Sequence, residues 1–292
     1  MATIISEDTT WSGVMSISDD VQVAEGVTLT ISAGSNISNT GVESPYGWGT
    51  SYTGSVTVYG DLNIEGSEDS KSTINELPFT LQSGGIINAN YTNFYNVDSF
   101  GYMPGQGQLV VTNSYFEDSM IRTYMITHGS NISGNTFNNS SIFTWFTIKN
   151  YNSILNLYEP ALTINNNLFY GKQSSNSTED ISLKDTRGGV TINGNSFLNS
   201  GTAIISRDWA GTNAQNNWFN TTNQIEIDNK IEDRNDSLNY GIVNYSNFLS
   251  EPDPITPSLA DSFSGSLSGT SQNDQFDGLS GVLEINGLSG ID

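Results

Sequence analysis

Bases and aromatic side chains recur at similar places in the middle part of this 292-residue sequence. Each stands just after a short apolar cluster, where a repeating chain would return to the same point of its path. Aromatic faces can pack on sugar rings, and Arg and Lys can pair with carboxylates or sulfates. The sequence therefore predicts one column of substrate-binding side chains, formed by Arg122, Tyr124, Trp145, Lys184, Arg207 and Trp209.

The charge distribution favours the same region. The chain has 31 acidic and nine basic residues, and its formal net charge is −22. Residues 122–207 reverse that balance with six bases and four acids, and they contain two insertions, at 144–158 and 171–180. Insertions in repeat proteins gather on the binding face. The acidic remainder argues against nucleic acid and against an anionic membrane surface as partners.

Catalytic chemistry has weaker support in the sequence. The candidate catalytic residues are Lys184, Asp185, Arg207 and Asp208. A glycosidase needs two carboxylates across a cleft, and Asp185 and Asp208 could supply them. Glu117 and Asp118 are the alternatives to Asp185, whereas a lyase or epimerase would use a basic side chain.

Histidine and cysteine chemistry is almost excluded. The only histidine, His128, precedes Gly129, which is typical of a turn. The chain has no cysteine, so thiolate metal sites and cysteine nucleophiles are absent, and one histidine leaves little room for a serine triad. No acid–base constellation stands out.

Three function classes follow. We expect a non-catalytic glycan-binding or adhesion-type module whose partner is an extracellular polysaccharide or a cell-surface glycan. The alternative is an enzyme, a lyase, hydrolase or epimerase, that acts on an extracellular acidic polysaccharide. Flat-face recognition such as ice binding would require regular threonine arrays, which the linear sequence does not show.

One repeated sequence motif positions all of these residues. It consists of a small or apolar residue, two residues of any type, usually Asn, one residue of any type and then Phe. It occurs six times and ends at Phe94, Phe116, Phe137, Phe169, Phe197 and Phe219. The spacings are 22, 21, 32, 28 and 22 residues, so a base period near 22 is lengthened twice by loops. Such a period, with two or three short strands per turn, predicts a parallel β-helix over about residues 15–222.

The recurrent asparagines predict a hydrogen-bonded ladder along the axis of this solenoid. They are Asn135, Asn167, Asn195 and Asn217. After the last coil, the stretch from Asn223 to Asn235 has three Ile residues among charged ones and predicts a short helix that caps the open end. Residues 1–250 would then form one capped domain.

The coils resemble the right-handed parallel β-helix superfamily, which includes the pectate lyases and the periplasmic β-helix repeats of copper pathways. Residues 217–252, beginning with Asn217-Trp218, look like the closing segment of many secreted bacterial β-helix proteins, although Phe219 stands where Gly is usual. The resemblance implies an all-β, single-stranded right-handed solenoid over about residues 20–254. It does not imply a reaction, because this superfamily hosts many chemistries.

The C-terminal part carries a second resemblance. Residues 251–258 are rich in proline and predict a stiff linker. Residues 269–281 look like the Gly- and Asp-rich nonapeptide repeats, of RTX type, of calcium-binding secreted proteins. The resemblance implies that residues 259–292 are a flexible, truncated or vestigial calcium repeat, with Asp274, Asp277 and Asp292 as metal ligands. Barely one intact turn exists, so weak Ca²⁺ binding is expected unless further repeats follow.

Localisation has only indirect support. Residues 1–11 contain no apolar core of a signal peptide, and no apolar run approaches the about 18 residues of a membrane span. We expect an extracellular or cell-surface protein that is exported by a non-classical or C-terminal signal, is not inserted in a membrane, and is a monomer or part of a longer chain.

Overall fold

Short alternations of apolar and polar residues set the path of the chain, because successive side chains of a strand point to opposite faces. In Val21–Val23 and in Val56–Val58 the two valines are buried and the residue between them is not. Each strand therefore buries one face and pairs with the strand one coil further on. The computed structural model describes residues 2–41, 43–44, 51–52, 54–97, 107–147, 150–152, 157–172, 179–259, 265–268 and 282–286.

Columns of strands form the sides of a solenoid. The ten-stranded sheet consists of Thr9–Trp11, Thr28–Ile31, Asp61–Glu65, Ile86–Asn90, Gln108–Thr112, Ser130–Ser133, Leu162–Asn165, Val190–Asn193, Thr212–Asn213 and Val243–Asn244. The eight-stranded sheet consists of Val14–Ile17, Asn36–Asn39, Ser72–Asn75, Thr92–Tyr95, Tyr115–Glu117, Thr136–Asn138, Leu168–Tyr170 and Ser196–Phe197.

The third side is divided between two sheets. The four-stranded sheet consists of Thr3–Ile5, Val21–Val23, Val56–Val58 and Phe79–Leu81, and the five-stranded sheet consists of Met120–Tyr124, Ser141–Trp145, Ile181–Lys184, Ile204–Arg207 and Ile231–Glu232. Every strand pairing in these four sheets is parallel. The predicted all-β parallel β-helix is confirmed, and it extends from residue 3 to residue 244.

The six phenylalanines of the repeat stack in the core. All are 0 or 1 % exposed. Consecutive ring centroids lie 4.6, 4.9, 4.7, 5.1 and 5.3 Å apart from Phe94 to Phe219, with interplanar angles of 7–17°. This spacing is close to the separation of neighbouring strands, about 4.8 Å, because each ring sits one coil above the last. The predicted stack is therefore present.

The predicted asparagine ladder is also present, between the ten- and eight-stranded sheets. Asn135, Asn167, Asn195 and Asn217 are 0 % exposed. In each step the carboxamide oxygen of one Asn accepts from both the backbone N–H and Nδ2 of the preceding Asn, at 2.9–3.0 Å. Ser114 extends the ladder, since its backbone N–H donates to Oδ1 of Asn135 at 2.9 Å. The ladder asparagines do not themselves adopt the left-handed backbone conformation. It is adopted by the residues that precede them in the chain, such as Asn113 before Ser114 and Asn166 before Asn167.

The capping segment differs in detail from its prediction. The helix covers only Gln224–Asp228, with Asn223 as its N-cap and Ile227 buried. The chain then forms the short strand Ile231–Glu232, because Ile231 pairs with Ile204 and closes the five-stranded sheet. The cap is therefore a one-turn helix together with an added strand.

Two hairpins interrupt the coils. Glu43–Ser44 pairs with Ser51–Tyr52, and Asn150–Asn152 pairs with Leu157–Glu159, both antiparallel. The second hairpin lies at the predicted insertion 144–158. Both leave the stacked coils undisturbed, as loops on repeat scaffolds do.

The described residues of the C-terminal part make two kinds of contact. The linker 251–258 folds back on the body, because Thr256 is buried and its hydroxyl donates to the carbonyl oxygen of Gly194 at 2.6 Å. Further on, Gly265–Ser268 and Val282–Asn286 form a parallel pair in which Leu267 lies opposite Ile285. The predicted metal ligands Asp274, Asp277 and Asp292 lie outside the described residues.

Candidate functional site

Four of the predicted column residues lie in one row of the five-stranded sheet. The register places Tyr124 beside Trp145, Trp145 beside Lys184, and Lys184 beside Arg207. Their strand neighbours Thr123, Thr144, Leu183 and Ser206 are buried, so alternation turns the four partly exposed side chains outward. We call Tyr124, Trp145, Lys184 and Arg207 the aromatic–basic row.

Trp145 is the centre of this row. The Nζ atom of Lys184 lies 4.1 Å from the centroid of the Trp145 ring, a cation–π contact. Tyr124 meets the same ring edge-on at 5.7 Å, and Phe146 stacks with it at 5.5 Å. The sequence suggests Trp145 as a platform for a sugar ring, but its ring is already packed among these three side chains. Instead, it holds the ammonium group of Lys184 at a defined place on the surface.

Arg207 is held by an ion pair from the preceding coil. Its Nη1 atom donates to Oε1 of Glu179 and to Oγ of Ser182, each at 2.9 Å. Burial opposes the charge of Arg207, but the hydrogen bond and the charge of Glu179 outweigh it and raise the pKa of Arg207. The acidic partner of Arg207 is therefore Glu179 and not its neighbour in the sequence, Asp208.

The two remaining column residues flank the row. Arg122 lies two residues before Tyr124, opposite Phe143, and its Nε donates to the sulfur of Met120 at 3.1 Å. Trp209 follows the end of its strand and is 69 % exposed. Its ring is therefore accessible to a ligand on this side of the solenoid.

The carboxylates considered for catalysis do not converge on this row. Asp208 is 0 % exposed, and its oxygens accept from the hydroxyl of Thr186 at 2.7 Å and from the backbone N–H of Ala210 at 3.1 Å. It ties two consecutive turns together. Asp185 occupies a left-handed turn position with φ of 52°.

Glu117 and Asp118 belong to another side of the solenoid. Glu117 ends a strand of the eight-stranded sheet and accepts from the hydroxyl of Tyr115 at 2.7 Å. Burial, and then the hydrogen bond to Glu117, raise the pKa of Tyr115. Asp118 accepts from Nδ2 of Asn139 at 2.6 Å. Neither residue shares a sheet with the strand that precedes Asp208.

A buried ionic cluster lies beside the row, and the sequence reasoning missed it. Lys172 Nζ lies 3.2 Å from Oδ1 of Asp180, whose side chain is 1 % exposed, and Asn199 Nδ2 donates to the same oxygen at 2.7 Å. Lys230 Nζ donates to the carbonyl oxygen of Asn199. Burial raises the pKa of Asp180 to about 6, against the opposing charge of Lys172. Burial lowers the pKa of Lys172 and Lys230.

The remaining candidates are not brought into the site. His128 is exposed in a turn, with Nδ1 3.2 Å from the carbonyl oxygen of Pro160. Among the described residues, no group of three or more His, Asp or Glu side chains is placed to hold a metal ion. Within the part of the chain that the structure describes, no helix is long and apolar enough to cross a membrane.

The chain was also compared with known proteins. No protein-family model, curated protein sequence or solved structure matches it.

Proposed function

We propose that the protein is a non-catalytic glycan-binding module that acts outside the cell or at its surface. The aromatic–basic row supports this most directly, because it concentrates aromatic and cationic side chains on one side of a chain whose net charge is −22. Lys184 is held in place by Trp145, and Trp209 offers an exposed ring beside it. An acidic polysaccharide would pair its carboxylates or sulfates with the cations and pack a sugar face on the ring.

Binding is better supported than turnover. A glycosidase needs two carboxylates that face one cleft. Among the described residues, Asp208 is buried and bonded within turns, while Glu179 is paired with Arg207. The row therefore has groups that attract a ligand, whereas Asp208 and Glu179 are already engaged within the protein. A lyase, hydrolase or epimerase remains the alternative that the assay below includes.

The test is retention on immobilised acidic polysaccharides, with alginate, pectate and a sulfated galactan as probes. We expect Trp209→Ala and Lys184→Ala to weaken retention several-fold. Arg207→Ala should weaken it too, because the carboxylate of Glu179 would lose its partner and repel an acidic ligand. Lys71→Ala is the matched control, since Lys71 is exposed and far from the row in the sequence. Unchanged retention in all three of these variants contradicts the proposal. New reducing or unsaturated ends in the same assay would show that the protein is an enzyme.

We also propose weak Ca²⁺ binding by the tail, with Asp274, Asp277 and Asp292 as ligands. The sequence of residues 269–281 supports it, and so does the strand register. Leu267 and Ile285, which lie opposite each other, are 18 residues apart, which is two nonapeptides. Such a period is expected where two nine-residue repeats make one turn of a β-roll.

A further inference from the structure

The ten-stranded sheet presents an outward row of ten side chains, of which all but one are polar. Strand register places the following ten residues side by side: Thr10, Thr30, Asn63, Asn88, Val110, Asn131, Thr163, Thr191, Asn213 and Asn244. All are partly or fully exposed, and nine are Thr or Asn. We call this the Thr/Asn row. It is invisible in the linear sequence because its members are 20–33 residues apart.

This face is nearly uncharged although the protein is strongly acidic. Among the ten strands of the sheet the only charged residues are Asp61 and Glu65, both in the strand Asp61–Glu65. The strands from Ile86–Asn90 onward carry none. A surface that merely needed to be soluble would share the acids of the rest of the chain. The face is therefore suited to an uncharged partner.

A groove crosses the Thr/Asn row at its third to fifth strands. It is lined by Asn63, Glu65, Asn88, Asn90 and Thr112 together with Gly66 and Val110. The lining spans two strand-to-strand steps, roughly 10 Å, which is the length of two or three sugar units. It is shallow and open, so it can accept an extended chain.

The amide groups in the groove are oriented by hydrogen bonds to each other. Asn88 Nδ2 donates to Oδ1 of Asn63 at 3.1 Å, which leaves Asn63 Nδ2 as a donor and Asn88 Oδ1 as an acceptor toward the groove. Asn90 Oδ1 accepts from the Thr112 hydroxyl at 2.8 Å and from Asn113 Nδ2 at 3.0 Å, so its Nδ2 is the outward donor. The Glu65 carboxylate is exposed and can only accept.

We propose that this groove binds a neutral polysaccharide, a site separate from the aromatic–basic row and independent of the function proposed for it. Sugar hydroxyls both donate and accept, which matches the alternating amide donors and acceptors, and neighbouring hydroxyls of one sugar can donate to the two oxygens of Glu65. An anionic polymer is disfavoured by Glu65 and by the net charge of −22. Among the described residues no aromatic side chain lines the groove, so each contact is weak and a long polymer gains from repeated engagement.

The experiment uses the whole chain and affinity electrophoresis in gels that contain dextran, galactomannan, xyloglucan or alginate. We expect retardation by at least one neutral polymer. Asn88→Ala and Asn90→Ala should each weaken it about three- to tenfold, the effect of losing one or two ordinary hydrogen bonds. Asn93→Ala is the matched control, because Asn93 is the same residue type in the same coil but lies on the eight-stranded sheet.

The outcomes separate the two surfaces. Lys184→Ala should leave retardation by the neutral polymer unchanged, whereas alginate retention should depend on Lys184 and not on Asn88. The proposal is overturned if no neutral polymer retards the protein. It is also overturned if Asn88→Ala and Asn90→Ala are retarded as much as the control Asn93→Ala. Partition of the protein into growing ice, lost with Thr163→Leu and Thr191→Leu but not with Asn88→Ala, would instead assign the face to an ordered water lattice.

Discussion

Asn167 donates twice to one oxygen of Asn195: its backbone N–H and its Nδ2 each lie 2.9 Å from Oδ1. A single buried carboxamide thereby satisfies two donors of the coil below. The Asn195 Nδ2 meanwhile donates to the carbonyl oxygen of Ile164 in the preceding coil and to Oδ1 of Asn217 in the next coil, each at 2.9 Å. Buried polar groups are tolerated only when they are paired, so the ladder fixes the register of coils whose lengths differ.

Replacing Asn195 by Ala should therefore destabilise the solenoid strongly. The substitution leaves two donors of Asn167 buried without an acceptor, and each such group costs about 1–3 kcal/mol. The free energy of unfolding in urea measures the effect. The control is Asn193→Ala, whose side chain is exposed on the adjacent strand, and equal losses in the two variants would mean that the ladder does not stabilise the fold.

Removing a ring from the phenylalanine stack should also be costly. Phe137 lies between Phe116 and Phe169, at 4.9 and 4.7 Å. We expect Phe137→Ala to lower the free energy of unfolding by about 3–5 kcal/mol, because a buried ring is replaced by a cavity. The same loss is expected for Phe197→Ala.

Trp209→Ala provides the comparison for the stack, since it also removes a large aromatic ring. Trp209 is 69 % exposed, so its loss should change the stability by no more than about 0.5 kcal/mol. A small effect of Phe137→Ala, similar to that of Trp209→Ala, would contradict the stacked core.

The fold could be predicted from the sequence because its determinants repeat within one coil. Phe137 and Asn167 belong to a sequence motif whose internal spacing is the same in every coil. Their side chains therefore stack whatever loop lies between the coils. The same argument placed Tyr124 and Lys184 in one column, since each ends a strand. The register that brings Asn88 beside Asn63 depends on which strands pair. The repeated motif does not specify that pairing for the coils before residue 89.

The buried ionic cluster could not be predicted for a related reason. Lys172 and Asp180 come from the insertion 171–180, whereas Asn199 and Lys230 come from later parts of the chain, and the four share no repeated spacing. In a sequence, an acid beside an insertion is typical of a solvated loop. Only the packing of the turn after the eight-stranded sheet against the cap encloses Asp180.

Calcium should bind the tail only weakly. One repeat supplies too few oxygens for the six to eight ligands of Ca²⁺, so we expect a Kd no better than the millimolar range. At a Ca²⁺ concentration equal to Kd the stabilisation is about 0.4 kcal/mol, and Tm should hardly change. Calorimetric titration of the whole chain, with and without Asp274→Ala and Asp277→Ala together, measures this. Micromolar binding that the double variant abolishes would show a complete site.

The stability of the protein should decline as the pH rises from about 4 to about 6 because of Asp180. Its pKa is about 6 in the folded state and near 3.8 in the unfolded chain. Well below pH 4 the carboxyl is protonated in both states, so its ionisation does not lower the free energy of unfolding there. As the pH rises, the unfolded chain ionises first, so folding loses stability until the folded pKa is passed.

Asp180→Asn removes the titrating group and keeps an acceptor oxygen for the Nδ2 of Asn199. Its free energy of unfolding relative to the wild type should rise between pH 4 and pH 6 and then level off. Urea unfolding at pH 4, 5, 6 and 7 gives the difference. Parallel stability profiles for the two proteins would show that Asp180 is ionised in the folded state, with Lys172 as a full partner.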